Sequence, residues 1–505
     1  MKLFSTQQIK LLDACTIEKE PVSSIDLMER AAVSITDWLL QYFSAPNAVI
    51  VIAGTGNNGG DALAVARLLC LCGFDISVYL VNQHNNLSPD CAENKQRLLQ
   101  QGKAKFIEVT DWTQIRSAEM PSQAFVLDGL FGSGLNRPLE GLYANVVKWI
   151  NKSGLPVISI DIPSGLFGED NSADNLQTIV RAQHTLSFQF PKMAFLFPEN
   201  EEFVGNWQLL NIGLHPDAIN ETQSPYYFTE KEDIQAFVKK RSRFSHKGAF
   251  GHALFVGGSY GKMGAAVLAS QACLRTGAGL LSVRSPECGT AILQTSVPEA
   301  MCLPDNEMRF IASLPDNLNI YSAIACGCGM GSEKISEKVV EYLLQNATQP
   351  LALDADSLNI LSKHADWLNL LPENTILTPH PKEFERLAGA YKNRREQIEQ
   401  ARIFCQKYHI FVVLKGAYTA VVCPDGDVHF NSTGNAGMAT GGSGDVLCGM
   451  ILSLLAQGYS PKESALLGVY LHGAAGDCAL QRQSEEALIA SDVISCIGKV
   501  FKEII

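Results

Sequence analysis

Residues 431–450 read Asn431-Ser-Thr-Gly-Asn-Ala-Gly-Met-Ala-Thr-Gly-Gly-Ser-Gly-Asp-Val-Leu-Cys-Gly-Met450. Glycine recurs at Gly434, Gly437, Gly441, Gly442 and Gly444, and one carboxylate, Asp445, closes the run. Glycine tolerates φ > 0 and close backbone approach, so the stretch reads as a tight loop. The next ten residues are apolar at helical spacing (Val446, Leu447, Met450, Ile451, Leu454, Leu455) and predict a buried helix over Val446 to Leu455. Gly-Ser-Gly-Asp therefore stands at a helix N-terminus, where unbonded N–H groups and the positive end of the macrodipole attract an anion. A carboxylate beside such an anion hole can take a proton from a hydroxyl while the backbone holds a phosphate, and that pairing suggests phosphoryl transfer. A glycine-rich turn with Asp445 as its cap would look the same locally, so the rest of the chain has to decide.

A length of 505 residues predicts two or three domains. An apolar fraction of 46% and a charged fraction of 18% fit a soluble globular protein with large cores. A formal net charge of −12 with no basic stripe excludes a general nucleic-acid binder, though not an anionic small ligand held by local donors. The 14 cysteines include no C-x-x-C pair; Cys70/Cys72 and Cys326/Cys328 are two apart, which is not a zinc-ligand spacing. Most stand in apolar runs, as small buried hydrophobes of a reducing compartment do. The N-terminus lacks a signal-peptide core and no apolar run reaches about 18 residues, so a cytoplasmic protein with no membrane partner is expected.

Residues 1–46 predict two helices, with Met28, Ala31, Ala32 and Ile35 on an apolar face and no evident chemistry. Strand Ala48 to Ala53 then leads into Gly54-Thr-Gly-Asn-Asn-Gly-Gly-Asp61, a helix over Ala62 to Cys72 and a second strand over Ile76 to Val81. Shorter strands follow at Ala124 to Leu127 and Val157 to Ile160, and the alternation predicts a parallel sheet covered by helices on both faces. Gly54, Gly56 and Gly59 satisfy G-x-G-x-x-G, but the second strand ends in Val81-Asn82-Gln83, without the acid that binds ribose hydroxyls. Hydride transfer with a Rossmann-bound NAD is therefore not expected. Asn57, Asn58 and Asp61 suit a polar ligand plus a cation. Asp128 and Asp161 end two further strands and open Gly129-Leu-Phe-Gly-Ser-Gly-Leu-Asn-Arg-Pro138 and Ile162-Pro-Ser-Gly-Leu166. Ligands of open parallel sheets bind beyond the C-terminal strand edges, where these loops converge. Oxygen ligands from Asn58, Asp128 and Ser164 would hold an alkali or alkaline-earth ion, whereas each acid alone reads as a turn or cap residue.

A linker is placed near 214–226, and the basic run Lys239-Lys-Arg-Ser-Arg243 reads as a solvated helix end or a ligand-facing rim. A second α/β alternation comes after it, with glycine-rich or charged strand ends at Gly257-Gly-Ser259, Gly327-Cys-Gly-Met-Gly331, Asp354-Ala-Asp356, Thr378-Pro-His-Pro-Lys-Glu383 and Lys415-Gly416. So many such ends in one domain favour a phosphate-and-nucleotide cleft over chance turns. Asp354 and Asp356 read either as magnesium ligands or, preferably, as loop caps. His380, rigid between two prolines, is a better substrate contact than His252, although lone histidines are more often packed or surface residues.

With both halves in view, the motifs resemble those of the bifunctional NAD(P)H-hydrate repair enzyme family over nearly the whole chain. In the first half the resemblance rests on Gly54–Asp61, Asp128–Leu135 and Asp161–Leu166. In the second it rests on Lys247-Gly-Ala-Phe-Gly-His252, Gly257–Ser259, Thr378–Glu383 and Gly441–Asp445. Ala62 departs from the glycine common in that family, a change a helix start tolerates. The resemblance implies an α/β chain: a Rossmann-like parallel-sheet epimerase domain over 1–214, then a ribokinase-like ADP-dependent dehydratase domain over 227–505.

The implied substrate is a nicotinamide cofactor hydrated at C6 of the ring, NAD(P)H-hydrate, with an adenine nucleotide, ADP or ATP, as phosphate donor. In the second domain Asp445 would be the catalytic base. Lys415, Gly416, Ala417, Tyr418, Thr419, Gly442, Ser443 and Gly444 would contact the nucleotide, and Ala266, Gly329, His380 and Asp445 the hydrate. In the first domain Asn57, Asn58, Gly59, Gly60, Asp61, Gly132, Ser133, Gly134, Leu135, Asn136, Arg137, Pro138 and Asp161 would bind the substrate. Asp161 would be the proton donor or acceptor there, and Asn58, Asp128 and Ser164 would hold potassium. Magnesium is the other expected cofactor, and a homo-oligomer the expected assembly. A ribokinase-like small-molecule kinase fused to a binding module is the nearest rival, since its chemistry also begins with an activated hydroxyl. A non-catalytic scaffold role for the first domain is disfavoured by Asp161 and the Asn57-Asn58 pair.

Overall fold

Seven apolar runs of the first half pair side by side, all parallel: β1 (Ala48–Ala53), β2 (Asp75–Val81), β3 (Lys105–Val109), β4 (Phe125–Gly129), β5 (Val157–Ile160), β6 (His184–Phe188) and β7 (Asn206–Leu210). The computed structural model describes residues 1–20, 22–118, 120–171 and 176–505. In β1 the period of two sends Val49, Val51 and Ala53 into one buried cluster and Ile50 and Ile52 into another. Both faces of the strand are thus covered, which is why it reads as an unbroken apolar run. The sheet order is β3-β2-β1-β4-β5-β6-β7. It reverses between β1 and β4, so a crevice opens beyond their C-terminal ends. The loops predicted to bind ligand leave the sheet at that edge.

The second half builds a ten-stranded sheet from β8 (Tyr226–Thr229), β9 (His252–Val256), β10 (Leu280–Ser285), β11 (Met301–Pro304), β12 (Ala323–Cys326), β13 (Leu351–Leu353), β14 (Ile376–Leu377), β15 (Phe411–Leu414), β16 (Ala420–Val422) and β17 (Val428–Asn431). Its order, β11-β10-β9-β12-β13-β14-β15-β16-β17-β8, is parallel from β11 to β15 and antiparallel through β15, β16 and β17. The reversal here falls between β9 and β12. One face is covered by the helices Met263–Thr276, Ser443–Ala456, Pro461–Ala479 and Ala490–Ile504, whose apolar residues join Ala253 and Phe255 in one core. This is the α/β architecture expected of a ribokinase-like domain after a Rossmann-like one.

The chain divides into two compact units. One comprises Lys2–Ser224 with Asn393–Arg395, the other Met1, Pro225–Lys392 and Glu396–Ile505. Helix Pro216–Glu221 lies within the segment read as linker. The basic run is exposed throughout and follows the helix Lys231–Gln235; Lys239 bonds Gly458 O and Arg241 bonds Gly277 O, and both side chains lie over aromatic rings. Among the described residues no helix is long and apolar enough to cross a membrane, and all fourteen cysteines are free thiols.

Candidate active sites

In the first unit the helix expected from Ala62 begins at Asn57. Asn57, Asn58, Gly59, Gly60 and Asp61 are therefore its first turn and not a loop. The cause is steric. A Cβ at Gly54 would lie 1.8 Å from Leu130 O, and one at Gly59 would lie 1.9 Å from Gly54 O. Bare backbone at Gly54 lets the turn after β1 pack on the turn after β4, and bare backbone at Gly59 lets the helix start close on Gly54, whereas Gly56 has open space around it.

Asp128, at the end of β4, is fully buried. Its Oδ1 accepts from Ser164 Oγ (2.6 Å), and its Oδ2 from Ser164 N (2.9 Å) and Ser159 Oγ (2.8 Å). Burial pushes its carboxyl above the usual range, against the pull of these donors. Asn58 lies close by, across Gly132, and its amide nitrogen is buried without a hydrogen-bond partner. The three proposed cation ligands are thus brought to one place. Of the proposed substrate loop, Gly132, Ser133 and Leu135 are half-buried, while Gly134, Asn136, Arg137 and Pro138 are exposed.

Asp161, just beyond β5, holds a φ of 64°, rare for a residue with a side chain. Its Oδ1 accepts from Lys192 Nζ at 2.6 Å, and the lysine, whose side chain is only 2% exposed, also donates to Ser187 Oγ. Two more acids share this field. Burial, reinforced by Asp161 and Asp13, pushes Asp61 well above the usual carboxylate range. Burial, then Asp161, raises Asp13 to about 6, with Lys192 pulling the other way.

Asp13 lies on the helix Thr6–Lys19, in the segment where the sequence showed no chemistry. Thr6, Lys10 and Asp13 follow helical spacing. Thr6 bonds Glu169, and Lys10 Nζ lies 3.2 Å from where a Cβ on Gly134 would stand. One face of that helix therefore walls the site, and Asp13 and Lys192 are the residues that sequence reasoning missed.

In the second unit Gly442, φ 91°, caps the helix Ser443–Ala456, so Gly444 and Asp445 lie in its first turn. Asp445 is half-buried. Burial, then the Asp354 carboxylate, raises its carboxyl to about 6, while the Cys328 thiol and Lys415 pull it down. Lys415, at the end of β15, pairs with Asp354 at 2.8 Å. Burial draws its ammonium down, but Asp354 outweighs that and the net shift is upward. A Cβ on Gly444 would lie 3.2 Å from Lys415 Nζ, so the cation faces the open mouth of the helix. Ser443 Oγ lies 3.3 Å from Nε2 of His472, an imidazole that burial pushes down to about 4. Gly416 and Ala417 are exposed in the β15–β16 turn, and Tyr418 there has a φ of 49°.

Asp354 and Asp356, the alternative magnesium ligands, are engaged within the protein. Asp354 holds Lys415, and Asp356 Oδ2 accepts from Gly331 N at 2.9 Å. His380 caps helix Pro381–Ala388, its Nδ1 accepting from Lys382 N and Glu383 N, with the side chain still 45% exposed. Gly329, φ 65°, accepts from Ser259 Oγ. Ala266 is fully buried against Gly258, so its methyl offers nothing to a ligand.

Both units are similar to known proteins. Residues 253–499 match the family model described as NAD(P)H-hydrate dehydratase, and residues 24–194 match that of the YjeF-related protein N-terminus. The bifunctional NAD(P)H-hydrate repair enzyme of Thermofilum pendens is 35% identical over 518 residues, covering 99% of this chain and 96% of that protein. The chain belongs to the bifunctional NAD(P)H-hydrate repair enzyme family. The repair enzyme of Moorella thermoacetica is 32% identical and spans 100% of this chain and 97% of its own. Among solved structures, the ADP/ATP-dependent NAD(P)H-hydrate dehydratase of Bacillus subtilis, co-crystallised with ATP and Mg2+, is 33% identical with a TM-score of 0.49. It covers 55% of this chain and 99% of its own. In family terms, the Asp445 cleft lies in the dehydratase region and the Asp161 cluster in the YjeF-related N-terminal region.

Proposed function

We propose that this chain repairs hydrated nicotinamide cofactors in two steps, one in each unit, and that Asp445 and Asp161 are their central carboxylates. The observation that carries the reading is the start of the helix Ser443–Ala456, where the half-buried Asp445 and the Lys415 ammonium stand beside the Gly444 backbone. An adenine nucleotide places its terminal phosphates between Lys415 and the Gly442-Ser443-Gly444 amides, with the Lys415–Thr419 turn alongside. Asp445 takes the proton from the C6 hydroxyl as its oxygen attacks the terminal phosphorus. The C6 phosphate ester then departs with the neighbouring C5 proton, leaving NAD(P)H and phosphate; with ADP as donor the nucleotide product is AMP. Gly329 and the exposed edge of His380 line the hydrate. Magnesium, brought in on the nucleotide phosphates, would offset their charge as the phosphoryl group moves.

In the first unit the hydrated carbon is a hemiaminal. Asp161, steadied by Lys192, takes the hydroxyl proton as the C6–N1 bond opens, and Asp13 gives a proton to N1. The ring recloses on the other face with both protons returned. Asn57 to Asp61 and Gly132 to Pro138 form the walls. Asn58, Asp128 and Ser164 would hold potassium, which supplies a fixed positive charge tying the turns after β1, β4 and β5. The orphaned amide of Asn58 supports that fit, because a flipped amide presents its oxygen to a cation. Fourteen free thiols support a cytoplasmic setting.

The test is to incubate purified protein with hydrated NADH and either ADP or ATP, following the reduced-nicotinamide absorbance. Recovery is expected only with nucleotide present. Transfer of phosphate to a pyrimidine or thiazole alcohol, with no NADH recovered, would favour the kinase reading instead.

A further inference from the structure

Beneath Asp445 lies a cluster that neither proposed step uses. Cys328 follows β12, Asp354 ends β13, and Cys448 sits three residues beyond Asp445 on the same helix. Their sulfur and carboxylate atoms all lie within 4.8 Å of one another, the one such mixed group among the described residues. Cys328 Sγ is 3.8 Å from Asp354 Oδ2, while Oδ1 of the same carboxylate holds Lys415 at 2.8 Å, so the free oxygen is turned to the thiols. All three residues are at most 1% exposed. Other buried thiols of this unit have different company: Cys326 faces Met330 Sδ and Cys405 faces Val422 O.

We propose that Cys328, Cys448 and Asp354 form a binding site for one thiophilic divalent cation of the zinc class, and that its occupation switches the Asp445 site off. Two sulfurs and one oxygen leave the fourth corner of a tetrahedron open. With metal–sulfur bonds of about 2.3 Å, sulfurs on a zinc tetrahedron stand about 3.8 Å apart, so the ligands need to move by only about 1 Å. Magnesium, which demands six oxygens at octahedral angles, does not compete for this donor set. Binding forms two metal–thiolate bonds and one metal–carboxylate bond and releases two thiol protons, with no change of oxidation state. Above the cluster, on the same helix as Cys448, Ser443, Gly444 and Asp445 are only half-buried. Once seated, the ion takes up the Cys328 sulfur that now donates to Asp354 Oδ2 at 3.8 Å, and the Cys448 sulfur one turn of helix beyond Asp445. It also offers the Asp445 carboxylate the fourth corner, so the base no longer accepts a proton. The binding half stands on geometry alone; the inhibitory half rests on the dehydratase reading.

Cadmium serves as the probe, because its thiolate bonds absorb in the ultraviolet. Full-length protein titrated with Cd2+ is expected to show a charge-transfer band that saturates at one equivalent, with two protons released per ion. Cys328→Ala and Cys448→Ala should each weaken this binding about tenfold or more. Zn2+ should stop nucleotide-dependent NADH recovery reversibly, a chelator should restore it, and Cys448→Ala should stay active while resisting zinc. An unchanged band in both variants overturns the site, and undiminished zinc inhibition of active Cys448→Ala overturns the switch. A thiol-dependent band in a protein that recovers no NADH upholds the site and refutes the dehydratase reading instead.

Discussion

In the proposed dehydratase step Asp445 is the base, and its environment sets the pH at which that base would work. Burial and the neighbouring Asp354 hold the carboxyl near a pKa of 6, and only the ionised form accepts a proton. The kcat/KM for NADH recovery should therefore fall about tenfold per pH unit below roughly pH 6 and level off above it. Stability should move the other way. A carboxyl whose folded pKa exceeds its unfolded value favours folding below the unfolded value, and loses that contribution as pH rises through the folded one. Asp445→Asn, isosteric and neutral, should thus be inactive yet more stable than the parent at pH 8, by on the order of 2 kcal/mol, with the difference gone by about pH 3. Denaturant melts at the two pH values check this; equal stability at both would mean that the carboxyl is not raised. Asp445 was legible because glycine, serine and aspartate at a helix start announce themselves within five residues. Asp13 and Lys192 were not, since they lie far from Asp161 in the chain and only folding brings their charges together.

The helices carry these groups, and their placement depends on contacts that leave no room for side chains. A Cβ on Gly449 would lie 2.1 Å from Ala269 O, so the helix Ser443–Ala456 rides directly on the backbone of Met263–Thr276. Gly449→Ala should force the two apart and cost about 1–3 kcal/mol, read as a lower denaturation midpoint. Because Asp445 lies one turn before Gly449 on the same rigid element, NADH recovery should fall as well. Gly441→Ala, with nothing within 4 Å of the added methyl and no positive φ, is the matched control and should keep its stability. A normal midpoint for Gly449→Ala would mean that the packing is looser than described. At this scale the sequence was read well where glycine or aspartate punctuates apolar strands, as at Ala53–Gly54 and Leu353–Asp354. Helix starts were read less well: Asn57–Asp61 looked like loop because its glycines were credited with freedom, when their role is to let two backbones touch. The pairing of β17 with β8 is set some two hundred residues apart, beyond any local pattern.

For the whole molecule, the consequence of two sites in one chain is that neither finishes the work alone. If the dehydratase takes one epimer, a mixture of epimers is cleared only while the first unit interconverts them. Asp161→Ala should therefore recover NADH until the accepted epimer is spent and then slow to the spontaneous rate of exchange; Asp13→Asn should behave likewise. Asp445→Asn alone should recover nothing, yet its first unit remains intact. Mixing it with Asp161→Ala should bring the reaction to completion, because the free substrate can visit each working site in turn. Chromatography of the two epimers beside the absorbance trace distinguishes the outcomes. Complete consumption by Asp161→Ala alone, faster than spontaneous exchange, removes Asp161 from the mechanism. A mixture that still stalls means that the Asp445→Asn chain does not epimerise, and the assignment of one step to each unit then falls.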